Sequence, residues 1–70
     1  MKEFKIAFVF NGKIFYYGFN GNIPFLTLEI AGAYVFDDKY YGTKNRRKEE
    51  AERLKKYFFN DSDVKSLILE

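Results

Sequence analysis

Seventy residues make one small domain (1–70), of a size that buries only about 60% of the surface its unfolded chain exposes. The absence of Cys and His excludes disulfides and leaves only carboxylates for a metal, so nine Phe and six Tyr point to dense aromatic packing or self-association as the source of stability. Twelve basic against ten acidic residues give a net charge of +2, so any electrostatic role rests on local clustering.

The N-terminal MKEFKIAFVF carries Lys2, Glu3 and Lys5 among alternating apolar residues, unlike an export signal. No stretch reaches the ~20 apolar residues of a membrane span. These features predict a soluble, cytoplasmic chain. Phe4 to Phe10 alternates with period two, the pattern of a half-buried strand. Asn11-Gly12 then predicts a type I′ turn, whose two central residues need positive φ. A second strand runs from Lys13 to Phe19. A two-residue turn sets Phe8 opposite Phe15, Ile6 opposite Tyr17 and Phe4 opposite Phe19. One sheet face then carries Phe4, Ile6, Phe8, Phe10, Phe15, Tyr17 and Phe19, and the other carries Lys5, Ala7, Val9, Ile14 and Tyr16.

Gly18 to Asn22 is expected to close the hairpin, with Pro24 blocking ladder pairing at its own position. Phe25 to Ile30 alternates as a third strand, and Ala33 to Phe36 reads as a short fourth, ended by Asp37-Asp38. A helix from Thr43 or Asn45 to Phe59 shows an apolar stripe of Ala51, Leu54 and Phe58, with Tyr57 on its flank. Asn60-Asp61-Ser62-Asp63 breaks it, and Val64 to Leu69 forms a last strand. The prediction is an α+β fold: a small antiparallel sheet, an N-terminal β-hairpin plus further strands, packed on a single helix in β-β-β-β-α-β order.

Catalysis has little to build on. The commonest general base and the best nucleophile are both missing. Asp37-Asp38 and Asp61/Asp63 sit at element ends, where Asp forms turns and caps. No glycine pattern matches a phosphate loop. The chain reads as non-enzymatic, with no cofactor and no metal. Residues 39–48, KYYGTKNRRK, hold five cations and no acid. Lys44, Arg46, Arg47 and Lys48 gather at the helix start, where the macrodipole disfavours cations by roughly 0.3–1 kcal/mol each. With Tyr40 and Tyr41 adjacent, this segment is either a partner-binding site or a solvated helix start.

The strip Ala7, Val9, Ile14 and Tyr16 is a candidate homodimer interface or else lies under residues 20–33. A base-stacking platform would need aromatics on that second face, and Tyr16 is the one hairpin aromatic there.

Tyr16 to Phe19, then Thr27, Glu29, Ala33 and Phe36, then Glu50-Ala51-Glu52, then Val64 to Leu69 form a series of features along the chain. This series resembles small uncharacterised α+β accessory proteins of phages and mobile elements in low-GC Gram-positive bacteria. The chain departs from the pattern by inserting Asp38 to Arg47, which holds the basic cluster. The resemblance implies a phage-encoded protein acting in a bacterial cytoplasm and carries over no catalytic residue. The leading expectation is steric inhibition of a host macromolecule, such as a defence nuclease or a replication or transcription factor. An acidic host-protein surface would be gripped by Tyr40, Tyr41, Lys44, Arg46, Arg47 and Lys48. The alternative is nucleic-acid binding by the same segment through phosphates.

Overall fold

Two tight turns organise the sheet in the computed structural model, which describes residues 3–37, 43–60 and 63–70. β1 (Glu3–Phe10) turns at Asn11-Gly12 into β2 (Lys13–Asn20), which turns at Gly21-Asn22 into β3 (Ile23–Thr27). Asn11 and Gly12 have φ of 53° and 73°, the conformation a type I′ turn requires. Phe8 accordingly stands opposite Phe15 and Ala7 opposite Tyr16.

The hairpin then splits. Its pairing ends at Ala7–Tyr16, short of the expected Ile6–Tyr17 and Phe4–Phe19 pairs. Another segment enters the gap: the Tyr34 N–H donates to the Tyr17 carbonyl at 2.8 Å, and β4 (Phe36–Asp37) pairs with Glu3 and Phe4. The aromatic side chains supply the reason. The Phe36 ring stacks on Phe4 at 4.9 Å and on Tyr17 at 5.6 Å, so the wedge buries a large ring between two others. Phe19, at the splayed end, is left exposed.

Residues 23–36 also depart from expectation. Pro24 lies inside β3, opposite Phe19, because β3 is an edge strand and can turn a missing N–H away from the ladder. The strand stops at Thr27, whose Oγ1 accepts the Glu29 N–H at 3.2 Å and bends the backbone out of line. A 3₁₀ turn at Ile30–Gly32 follows, leaving Leu28 and Ile30 exposed, and the expected strand over 33–36 shrinks to β4.

α1 (Lys44–Phe58) begins at Thr43, whose hydroxyl accepts the Arg46 N–H at 3.1 Å. β5 (Lys65–Leu69) returns antiparallel to β1, with Ile6 opposite Ile68 and Ala7 opposite Leu67. The five-stranded antiparallel sheet and one helix form an α+β fold in β-β-β-β-α-β order. α1 packs chiefly over β5. Beneath it lie Phe4, Ile6, Phe8, Tyr17 and Phe36, closed by Ala51, Leu54 and Val64.

On the far face the Phe25 ring lies against Gly18. A Cβ built on Gly18 would stand 2.4 Å from Phe25 Cε2 and Cζ. Gly18→Val should therefore destabilise the fold by about 1–3 kcal/mol through overpacking. The same change in a Phe25→Ala background should cost far less, and urea unfolding midpoints of the four proteins measure the coupling.

Candidate functional site

Helix geometry divides the basic cluster at the start of α1. Successive residues turn by about 100°, so Arg47 falls in line with Ala51, Leu54 and Phe58 and points into the protein. It is 7% exposed. Its Nη1 donates to Glu70 Oε1 beyond the end of β5, and its guanidinium carbon sits 4.9 Å above the Phe4 ring. The expectation that Arg47 is displayed to a partner is thus corrected: the side chain closes the end of the core. The periodicity alone carried the signal, because Arg47 precedes Ala51 by four residues on the same stripe.

Lys44 and Lys48, four residues apart, stand side by side and exposed on the flank of α1 that faces β5. Arg46 lies roughly 160–200° round the axis from them, also exposed but on the opposite flank. No acid occupies the first turn. Tyr40 and Tyr41 lie outside the described residues.

Lys44, Lys48, Ala51, Ser66 and Ile68 line a groove of about 390 Å³ between α1 and β5. The Arg47–Glu70 pair closes its end. On the opposite flank Arg53 Nε donates to Glu50 Oε1 at 2.6 Å, whereas Lys55 and Glu52, 3.3 Å apart, share the β5-facing flank with the two lysines, and Glu52 Oε2 accepts the Ser66 hydroxyl at 3.0 Å.

The second candidate site also changes. Ala7 is fully buried, shaded on the far face by its larger register neighbours Tyr16 and Leu67. It cannot line an exposed interface as expected. Val9 and Tyr16 are half-buried and Ile14 is 44% exposed, and with Leu67 they leave a partly open apolar strip. Among the described residues, no three acidic side chains gather where a metal ion could be held. Burial pushes the Tyr17 hydroxyl above its ordinary range, with the Glu50 carboxylate adding to the effect. It therefore stays protonated as part of the core.

No protein family, no curated protein and no solved structure gives a significant match to this chain. No helix among the described residues is long and apolar enough to cross a membrane.

Arg47→Ala should lower stability by about 1–3 kcal/mol, because it uncovers Phe4 and leaves a void at the end of the core, while the half-exposed Glu70 returns to solvent. Arg46→Ala should stay within about 0.5 kcal/mol, and guanidinium unfolding separates the two.

The Ser66 hydroxyl donates to Glu52 Oε2 at 3.0 Å and, with Lys55, holds the Glu52 carboxyl below its ordinary value of 4.5. A depressed folded value stabilises the protein above 4.5, and that stability is lost as pH falls through the folded value. Ser66→Ala should move the Glu52 titration back toward 4.5 and flatten this acid limb, read by carboxyl-carbon NMR.

Proposed function

We infer that this chain is a non-enzymatic binding protein that recognises an acidic protein surface through the β5-facing flank of α1. The observation that carries this reading is the pairing of exposed Lys44 and Lys48 along a groove whose other lining includes Ala51 and Ile68. Charges set the approach and register of a partner, and adjacent apolar area supplies the affinity. Action by occlusion needs nothing further, which suits a phage-encoded accessory protein that blocks a host macromolecule.

A phosphate-backbone site is less well supported. It needs a continuous basic track, whereas here Arg47 is internal, Arg46 faces the other way, and Glu49 and Glu52 follow within the next turn. The far face offers half-buried Tyr16, a poor stacking platform.

The test compares the wild type with Lys44→Glu/Lys48→Glu and with Arg46→Glu. Each is used to capture proteins from a lysate of a low-GC Gram-positive bacterium and is titrated with labelled duplex DNA at roughly 50 and 200 mM salt. The expected result is a captured protein lost with the double variant and kept with Arg46→Glu, and no DNA binding. Tight DNA binding that collapses with salt, or capture indifferent to both lysines, overturns the reading.

A further inference from the structure

We propose that the outer edge of β5 takes an extended acidic segment of a partner protein as an added strand, seated in the groove between β5 and α1. The proposal rests on reading Lys44 and Lys48 as a partner-binding pair, and it names what that pair would recognise.

The sheet has two outer edges, and they differ. β3 carries Pro24, which cannot donate to a further strand, and so its edge is blunted. β5, reading Lys65-Ser66-Leu67-Ile68-Leu69, has no proline, and among the described residues it pairs with β1 alone. Its other side therefore presents a row of backbone donors and acceptors.

Such an edge is a template for β-augmentation, in which main-chain hydrogen bonds give affinity and alternate side chains give specificity. Here the alternation is legible. Ser66 and Ile68 stand on the helix side, beside Lys44, Lys48 and Ala51, and the two acids there are already engaged, Glu52 with Ser66 and Lys55 and Glu70 with Arg47. Leu67 and Leu69 stand on the far side, continuous with the strip of Val9 and Ile14.

An added strand would thus place every second side chain beneath the overhang of α1. There an acidic residue meets the two ammonium groups, and an apolar residue two positions away covers Ile68 and Ala51. The intervening side chains extend the apolar far face. A second copy of β5 would fit this pattern less well. Centred on Leu67 it would present Ser66 and Val64 opposite Ile68 and Glu70, and its own Glu70 would fall opposite Val64, outside the groove lining.

The probe is an end-blocked, fluorescein-labelled peptide that alternates Glu and Leu along one side with Val along the other, titrated by fluorescence polarisation. Two derivatives carry N-methyl groups on complementary sets of alternate amides. The parent should bind, and one derivative should lose binding while the other keeps it, because only one set of amides faces β5. Lys44→Glu/Lys48→Glu should weaken the parent about tenfold, and circular dichroism should show the fold retained, since acids at a helix N-terminus are favourable.

If the parent fails to bind, or if both derivatives bind as the parent does, strand addition is overturned. In the second case the loss on charge reversal would persist, and the reading of the lysine pair would survive. A protein that sediments as a dimer and excludes the peptide overturns the proposal in favour of a second copy on β5.

Discussion

A helix of fifteen residues must close the core over a five-stranded sheet. A helix is about 10–12 Å wide and strands lie about 4.8 Å apart, so α1 roofs little more than two of them. It sits over β5 and β1, and single aromatic residues from the flanking segments cover the rest of that face. Phe59, just past the end of α1, lies 5.5 Å from both Phe8 and Phe10 and 6.2 Å from Phe15, closing the turn end of the hairpin. At the other end Tyr34 meets Phe36 edge-on at 4.9 Å, and Phe36 fills the split between β1 and β2. The high Phe and Tyr content is thus the means by which a short chain replaces a second helix.

The same shortage of cover explains Arg47. The first inward position of α1 lies over Phe4 at the end of the core, within reach of Glu70. An arginine fills the space with its stem, lays its guanidinium over Phe4 and reaches the Glu70 carboxylate at the edge. Its cost near the positive end of the helix dipole is offset by that neutralisation. The run Lys44 to Lys48 therefore combines two kinds of residue. One cation holds the C-terminal end of the sheet to the helix, and its neighbours remain in solvent.

Sequence pattern carried the sheet well wherever a local rule decided it. Asn11-Gly12 set the turn, and the alternation on both sides set the register from Phe8–Phe15 outward. The split at Ile6 was not legible, because it depends on a ring arriving from residue 36, remote in sequence. Thr27 stopped its strand with one hydroxyl–amide bond, overriding the alternation of Leu28 and Ile30. At the candidate site, composition marks the basic segment but not how the helix divides it. A charge run is linear, whereas burial follows the helical angle, which groups Arg47 with Ala51 and Leu54 and not with its neighbours.

The placement of α1 links the fold to the proposed binding. Because the helix lies over β5 and not over the middle of the sheet, the last strand is both an edge and a roofed floor. Edges are normally hazards, and this protein blunts the other one with Pro24. Leaving β5 unblunted makes sense if its flanks select what pairs with it. Lys44 and Lys48 would do that by repelling basic strands and attracting acidic ones, so that non-directional backbone pairing becomes selective. The charge reversal that tests partner recognition is then also a test of how a minimal sheet with an open edge avoids indiscriminate self-association.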